Sequence, residues 1–302
     1  MRRRLRDWPK ILLAALALAG PLATARAQDN TLSVVPPRRP HLSVEQTYYA
    51  QPMMVGEAVQ ALAPARPGVA ELYFVGFAGT SAEDVFLKEA HFAQDLFDER
   101  FGTRGRSLIL ANNPATLRSL PLASVSNLRW AIDGIARKMN RDEDVLFLYL
   151  TSHGAQHVLS VSFPELGLDN LYDEWLKAML DRAGIEWRVI VVSACYSGSF
   201  VDRLKDERTL IITAAAADRA SFGCGTEDEF TYFGDAYLNT ALKESRSFIG
   251  AFDRARQLIA QRERAEGKTP SEPQIYVGSA IKAKLAALEK RLAAAPAGAG
   301  TH

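Results

Sequence analysis

The sequence predicts an α/β protein built on a mainly parallel six-stranded sheet that helices cover. Six short apolar runs, rich in β-branched and aromatic residues, alternate with amphipathic helical patterns. Most of these runs do not alternate polar with apolar residues, which is typical of strands buried on both faces of a sheet. Strands that alternate with helices in this way favour a parallel sheet.

Most of the six strand segments end in Gly, Ser or Asn, where a buried strand would give way to a turn. The predicted strands lie in ELYFVGFAG (71–79), RSLILANN (106–113), DVLFLYLTSHG (144–154), RVIVVSACYSG (188–198), TLIITAAAAD (209–218) and QIYVGSA (274–280).

Helical periodicity lies between and after these strands. Val85, Phe92 and Leu96, for example, fall on one face of a helix. The predicted helices occupy 84–102, 124–139, 231–242, 247–267 and 283–295.

Residues 1–27 have the organisation of a secretory signal peptide. Basic residues precede an apolar stretch from Ile11 to Ala19, which is short for a membrane span, and Ala25-Arg26-Ala27 matches an A-x-A cleavage site. We therefore expect export to the periplasm or secretion, a mature chain that begins at Gln28, and no stable membrane insertion after cleavage. An uncleaved anchor is the alternative interpretation.

Three regions follow the predicted signal peptide. Residues 28–68 are rich in proline and indicate a mostly extended arm with a short helix near 54–63. Residues 69–282 form the predicted folded domain, and 283–302 a terminal helix with a loose tail. The 48% hydrophobic content supplies a core without a disulfide framework, and the net charge of +1 gives no sign of nucleic-acid binding.

Two predicted strands end in residues that can do chemistry. One delivers His153 and Gly154, and the other delivers Cys195. In an open α/β sheet function gathers beyond the carboxyl ends of the strands, so neighbouring strands would bring these residues together. A cysteine attacks as the thiolate, and an imidazole can activate it or protonate the leaving group. The main-chain N–H groups of Gly154 and Cys195 are candidates for binding the oxyanion of a tetrahedral intermediate.

Either residue alone would favour a structural interpretation, because a cysteine at a strand end is more often a small buried hydrophobe and a lone histidine is usually structural. Both residues in Gly-containing turns after apolar strands favour catalysis. The G-x-S-x-G motif of serine hydrolases is absent. The five histidines are scattered and no C-x-x-C is present, so we expect neither a metal nor another cofactor.

Cys195 and Cys224 are the only two cysteines in the chain. In an oxidising compartment they would be either one disulfide or one reactive thiol and a bystander. The sequence leaves both alternatives open.

The segments LYLTSHGA and VVSACYSGSF resemble the two catalytic motifs of the legumain-type cysteine peptidases, family C13, within the caspase-like clan. SFGCGTEDEFTYFGDAY, residues 221–237, resembles a third legumain segment. The resemblance covers roughly 70–280 and is closest to the short exported bacterial branch. It implies a caspase-like α/β/α sandwich and a peptide or protein substrate.

The resemblance also assigns roles to single residues. It makes His153 the acid/base and Cys195 the nucleophile. It places Asp235 in the S1 pocket, which receives the substrate residue before the scissile bond (P1), with Ser221 at the rim. The position of Cys224 is also a cysteine in legumains, which favours a buried free thiol there.

Two departures from the legumain pattern bear on specificity. Tyr196 stands where legumains carry an acid immediately after the nucleophile, so it is a candidate substrate-binding residue and selectivity for asparagine is not expected. Legumains support the histidine with an asparagine after the first strand, and Ser81 is the nearest equivalent here.

The sequence therefore predicts an exported cysteine endopeptidase that hydrolyses peptide bonds through a Cys-His dyad and a thioacyl-enzyme. One alternative is a transpeptidase or transamidase, in which an amine captures the same acyl-enzyme. The other is a non-catalytic binding module of the caspase fold, which the presence of both His153 and Cys195 disfavours. The sequence leaves the oligomeric state open.

Overall fold

The computed structural model describes residues 43–294. The predicted signal peptide 1–27, the first part of the proline-rich arm and the tail beyond residue 294 lie outside the described residues. No helix between residues 43 and 294 combines the length and the apolar character needed to cross a membrane.

The central sheet has six strands in the order β2-β1-β3-β7-β8-β9. The first five are parallel, and β9 joins β8 in the antiparallel sense. Their bounds are β1 Leu72–Ala78, β2 Ser107–Ala111, β3 Val145–Thr151, β7 Arg188–Ser193, β8 Thr209–Thr213 and β9 Gln274–Val277. The prediction of a mainly parallel six-stranded sheet is confirmed, and each strand lies within its predicted segment.

A second, three-stranded antiparallel sheet shares no strand with the first and was not predicted. It has the order β4-β5-β6, with β4 Gly154–Ala155, β5 Val158–Leu159 and β6 Leu171–Tyr172. Strands of two residues carry too little periodicity to be recognised in a sequence.

Helices cover both faces of the central sheet. One core cluster joins that sheet to α1 (Val44–Gln60), α3 (Val125–Lys138) and α4 (Asp173–Ala183). The other cluster joins it to α2 (Val85–Arg100), α8 (Phe248–Ala265) and α9 (Ile281–Ala294). Every strand residue of β1, β3, β7 and β8 is buried, which is why an uninterrupted apolar run makes up most of each strand.

Two further helical segments complete the chain. A 3₁₀ turn, Ser197–Phe200, leads into α5 (Val201–Leu204) directly after β7. The predicted helix at 231–242 is α6 (Tyr232–Gly234), a π-helical segment (Asp235–Ala241) and α7 (Leu242–Glu244) in succession.

The prediction of an extended arm is wrong for residues 44–53, because α1 begins at Val44 and contains Pro52. The short helix predicted near 54–63 corresponds to the second half of α1, which ends at Gln60. Ser43 caps the helix by accepting a hydrogen bond from the Gln46 N–H at 3.2 Å. The buried Gln51 Oε1 accepts from the Leu122 N–H and the Asn127 Nδ2, both at 2.8 Å. These tertiary contacts fix α1 on α3 and outweigh the low helix propensity of proline.

Candidate active site

The register of β3 and β7 brings His153 and Cys195 to the same edge of the sheet. Thr151, the last residue of β3, lies opposite Ser193, the last residue of β7. The Ser152 N–H also donates to the Ser193 carbonyl at 3.3 Å, so the two chains still run side by side as they leave the sheet. The predicted adjacency of the two strand ends is therefore observed.

The half-buried thiol of Cys195 lies against Ser221. The Ser221 N–H donates to Cys195 Sγ at 3.3 Å, the thiol lies 3.5 Å from the Ser221 carbonyl oxygen, and the Ser221 hydroxyl is 3.7 Å away. The segment around Ser221 thus places a hydrogen-bond donor beside the sulfur that would attack. Ser221 was predicted at the rim of the substrate pocket, and it lies next to the proposed nucleophile.

The imidazole of His153 is held by two side chains that the sequence analysis did not single out. Its Nε2 lies 3.0 Å from Glu83 Oε2, and the Phe86 ring packs against it edge-on at 5.2 Å between centroids. Because Glu83 engages Nε2, Nδ1 is the nitrogen left to face a substrate. Within residues 43–294, His153 and Cys195 share no hydrogen bond.

Glu83, not Ser81, is the residue of the loop after β1 that contacts His153. The Ser81 N–H instead donates to the Ser162 carbonyl at 3.2 Å. Since β1 pairs with β3, the loops that follow the two strands lie at the same edge of the sheet. Glu83 has no distinguishing signal in the sequence, because a glutamate in a loop after a strand resembles any solvated acid.

Neither of the two predicted oxyanion donors uses its amide N–H in a hydrogen bond with another described residue. The Ser160 N–H donates to the His153 carbonyl at 2.9 Å, and Gly154 lies opposite Leu159. Hydrogen-bonded and non-hydrogen-bonded pairs alternate along an antiparallel ladder, so the Gly154 N–H points away from β5. The Cys195 N–H has no acceptor among the described residues. Both amides are thus available to a substrate oxygen.

Gly154 is required by its contact with the nucleophile turn. A Cβ at this position would lie 2.5 Å from the Cys195 carbonyl oxygen and 2.9 Å from Ala194 Cβ. Real Cβ atoms do not approach this closely, so only glycine allows the hairpin that follows His153 to pack on the turn that contains Cys195.

The turn after Cys195 is a tight structure with one strained residue. Tyr196 has a φ of 57°, in the left-handed region that non-glycine residues rarely adopt. Its N–H donates to the Arg219 carbonyl at 2.7 Å, and its own carbonyl accepts from Ser199 Oγ at 2.7 Å. A Cβ on Gly198 would lie 2.6 Å from the Ala217 N, so the small residues of CYSGSF allow this turn to pack on the loop after β8.

Asp235, the predicted S1 residue, lies at the start of the π-helical segment. Its carboxylate accepts from Asn239 Nδ2 at 2.8 Å and pairs with Arg262 Nη1 at 3.6 Å. Arg262 in turn lies over the Tyr232 ring, with its guanidinium carbon 3.6 Å from the ring centroid. A cation therefore already accompanies the carboxylate that the resemblance assigns to P1 recognition.

A second histidine–carboxylate pair lies on the hairpin next to His153. The exposed His157 ring places Nδ1 2.7 Å from Oδ2 of the buried Asp173, the first residue of α4. His157 has a φ of 63°, and its N–H donates to Ser199 Oγ at 2.8 Å. This pair fastens the β4–β5 hairpin to α4 and to the turn after Cys195.

Both cysteines are free thiols, so the disulfide alternative is not the one the structure adopts. Cys224 is half-buried and packs against the apolar cluster that includes Phe86. Burial, reinforced by the nearby Cys195 and Glu83, raises the pKa of the Cys224 thiol. Among residues 43–294, no three histidine, cysteine, aspartate or glutamate side chains are grouped as a metal site would require.

Comparison with known proteins identifies the relatives of this chain. The Peptidase C13 family matches residues 130–284. Legumain from Mus musculus is 30% identical over 104 residues, which cover 34% of this chain and 24% of that protein. Legumain from Homo sapiens is 30% identical over 105 residues, with the same coverage. The chain thus matches about a quarter of the length of these relatives.

A solved structure, caspase-1 from Spodoptera frugiperda, is also similar. It aligns with a TM-score of 0.48 and 13% identity, over 72% of this chain and 94% of that chain.

Proposed function

This chain belongs to the peptidase C13 family, and we propose that it is an endopeptidase that cleaves peptide bonds with Cys195 as nucleophile and His153 as acid/base. One observation carries the proposal: a thiol and an imidazole leave the matched ends of β3 and β7, with the available amides of Gly154 and Cys195 beside them. Nucleophile, proton carrier and oxyanion donors are the parts that acyl transfer requires.

In the first half-reaction, the Cys195 thiolate attacks the carbonyl carbon of the scissile bond. The electron pair of the C=O bond moves to oxygen, and the Gly154 and Cys195 N–H groups bind the resulting oxyanion. When the carbonyl re-forms, the C–N bond breaks, and His153 gives its proton to the leaving amine. The product of this step is a thioacyl-enzyme and a free amine.

In the second half-reaction, His153 takes a proton from water as the water oxygen attacks the thioester carbon. The C–S bond then breaks, the acid product leaves, and Cys195 returns as thiolate with His153 as imidazolium. Glu83, 3.0 Å from His153 Nε2, orients the ring and accompanies its positive charge. Since His153 and Cys195 share no hydrogen bond, we infer that the substrate lies between them.

Substrate selection is assigned to Asp235, Ser221 and Tyr196. Tyr196 replaces a carboxylate that would accept from the amide of a P1 asparagine, and a site discriminates strongly only when each polar partner is present. The pocket is therefore not strictly selective for asparagine. A peptide library that varies P1 tests this proposal, and strict cleavage after asparagine, unaffected by Asp235→Ala, would contradict it.

The protein is proposed to be exported, with residues 1–27 as the signal peptide. The support is the A-x-A sequence at Ala25-Arg26-Ala27 after a basic and an apolar segment. N-terminal sequencing of the exported protein should give Gln28 as the first residue. A chain that still begins at Met1 would favour the anchored alternative.

The experiment that tests the peptidase assignment is labelling with a thiol-directed, activity-based peptide probe. The probe should label the wild type and not Cys195→Ala. Adding an amine nucleophile to a peptide assay separates hydrolysis from transpeptidation by the product formed. Equal labelling of both proteins, with no turnover by either, would instead support a binding module.

A further inference from the structure

Beneath the candidate active site lies a buried carboxylate that the mechanism above does not use. Glu89, on α2, has no solvent exposure. Its Oε2 accepts from the Tyr149 hydroxyl and the Thr151 hydroxyl, both at 2.9 Å. Its Oε1 accepts from the Thr231 N–H and the Thr231 hydroxyl, both at 2.7 Å.

These four donors come from the segments that carry the proposed site residues. Thr151 is the last residue of β3, two residues before His153. Thr231 caps the helix that continues to Asp235, since its hydroxyl also accepts from the Gly234 N–H at 2.9 Å. The Thr231 hydroxyl lies 3.4 Å from Ser193 Oγ, at the end of β7 and two residues before Cys195.

The surroundings of Glu89 are shaped around its carboxylate. A Cβ on Gly234 would lie 2.0 Å from Glu89 Oε1, so glycine there leaves the room that the carboxylate occupies. Within the part of the chain that the structure describes, no cationic side chain pairs with Glu89. Burial raises the pKa of Glu89, and the hydrogen bonds from Thr231, Thr151 and Tyr149 oppose that shift.

Holding a carboxylate in the interior without a cation is costly, and an apolar side chain of similar volume would pack there at less cost. The carboxylate compensates for this cost through its geometry. Each of its two oxygens accepts two hydrogen bonds in fixed directions, and the donors belong to separate segments of the chain. Residues that cost stability in this way are expected where function requires a fixed arrangement.

We propose that Glu89 is a positioning residue of the catalytic centre, which fixes the ends of β3 and β7 and the start of α6 relative to one another. Glu89 does not touch the substrate. It acts through Thr151 on His153, through Thr231 on the helix that carries Asp235, and through the Thr231–Ser193 contact on Cys195. The inference rests on the proposed peptidase function.

The test compares Glu89→Gln with Glu71→Gln, a control at the opposite end of the sheet. Both glutamates are fully buried. In Glu89→Gln the amide oxygen can still accept from Thr231, whose N–H can only donate. The amide NH₂ must then face the Tyr149 and Thr151 hydroxyls, which have to reverse and become acceptors. The variant should fold, with the end of β3 displaced.

We expect kcat of Glu89→Gln to fall by about ten- to a hundredfold, because displacements on the order of 1 Å at a reacting group have effects of this size. Its urea midpoint should stay unchanged or rise, since a buried charge has been removed. Glu71→Gln should show the opposite pattern, with a lower midpoint and an unchanged kcat of the folded fraction.

A second pair of variants tests the contact of Glu89 with Thr231 separately from its contacts with Tyr149 and Thr151. Thr231→Val keeps the shape of threonine but loses its hydroxyl, and should raise KM more than it lowers kcat, because the helix to Asp235 shifts. Thr231→Ser keeps the hydroxyl and should behave as the wild type. Loss of kcat in Glu89→Gln only in proportion to lost stability, or identical kinetics of Thr231→Val and Thr231→Ser, would overturn the positioning role.

The experiments distinguish failure of the Glu89 inference from failure of the proposed peptidase function. If the wild type turns over peptides and Cys195→Ala does not, the peptidase assignment holds and the Glu89 variants decide the inference. If no peptide is turned over, the rate of Cys195 alkylation by iodoacetamide replaces kcat as the readout. Glu89→Gln should then change that rate and Glu71→Gln should not, and equal rates would refute the inference.

Discussion

The two ends of the parallel strands bury carboxylates in opposite ways. At the amino end, Glu71 pairs with Arg66 and with Arg106, 3.3 Å away, and its N–H donates to Asp144 at 2.7 Å. At the carboxyl end, the Glu89 carboxylate accepts hydrogen bonds from one N–H and three O–H groups, and no cationic side chain among the described residues pairs with it. Removing one partner of the Glu71 ion pairs would leave a buried charge without its counter-charge, which is strongly destabilising, whereas Glu89 has no counter-charge to lose. Substitutions at the amino end should therefore lower stability, whereas substitutions at the carboxyl end should lower activity.

The largest effect is expected for Cys195→Ala, which removes the attacking sulfur. Peptide hydrolysis should be lost while the unfolding transition in urea stays close to that of the wild type. Cys224→Ser serves as the matched control and should retain activity, because Cys224 has no chemical role in the proposed mechanism. Full activity of Cys195→Ala would exclude the mechanism.

Next in size is His153→Ala, which removes the acid/base. We expect kcat to fall by about 10²–10⁴-fold, the usual contribution of a general acid or base. His157→Ala is the control four residues away, because its ring binds Asp173 and not a reacting group. Preserved turnover in His153→Ala, with loss in His157→Ala, would move the base to the second histidine.

Gly154→Ala should reduce kcat by about 10²–10³-fold, the loss seen when one oxyanion donor is removed. The added methyl would lie 2.5 Å from the Cys195 carbonyl oxygen and force the hairpin away from the nucleophile turn. Steady-state kinetics with a saturating peptide measure the loss. Because alanine keeps the main-chain N–H, an active Gly154→Ala would show that the hairpin accommodates the methyl group without moving this amide away from the nucleophile turn.

At the amino end of the parallel strands, Arg106→Met should lower the stability of the protein and leave kcat of the folded molecules unchanged. It removes one of the two cations of the buried Glu71 and should lower the free energy of unfolding by about 1.5–3 kcal/mol. Urea denaturation measures this change, and active-site titration gives kcat per folded molecule. A reduced kcat of the folded fraction would mean that the two ends are not independent.

The smallest effect concerns the reactivity of Cys224. Burial raises the pKa of its thiol, so the thiolate is a small fraction at neutral pH and grows as pH rises. In Cys195→Ala, alkylation by iodoacetamide should be slow at neutral pH and rise about tenfold per pH unit up to that raised pKa. Fast labelling of this variant at neutral pH would show that Cys224 is not the shielded thiol described here.

The strands of the central sheet were predictable because burial on both faces leaves a continuous apolar run in the sequence. The helix α4 was missed although its signals are present: Asp173 and Glu174 in the first turn, and Gly184 in the left-handed conformation after the last. It directly follows β6, and a strand of two residues leaves no pattern in the sequence that would mark where the helix begins. Only the second half of α1 was predicted, because the helix depends on tertiary contacts, such as those of Gln51 with Leu122 and Asn127, rather than on the helix propensity of its sequence.

The candidate site also contains residues that could be predicted from the sequence and residues that could not. His153 and Cys195 could be predicted because reactive side chains followed apolar strands. Glu83 and Glu89 could not, because a glutamate after a strand or within a helix resembles any solvated acid in one dimension. Their contacts depend on which strands are neighbours and on the face that α2 turns to the sheet. Arg262, which accompanies Asp235, lies on a different helix and has no local signal either.

The pairing of β3 with β7 joins residues 42 positions apart, and no contact nearer in the chain can substitute for it. Such a pairing requires the closure of a long loop, an entropic cost that is recovered only when the sheet assembles. In a chain that has formed its helices but not this pair of strands, the Cys195 thiol and the His153 imidazole are not held close together. The proposed peptidase activity therefore requires the pairing of β3 with β7, and a nascent chain that lacks this pair would not attack its neighbours.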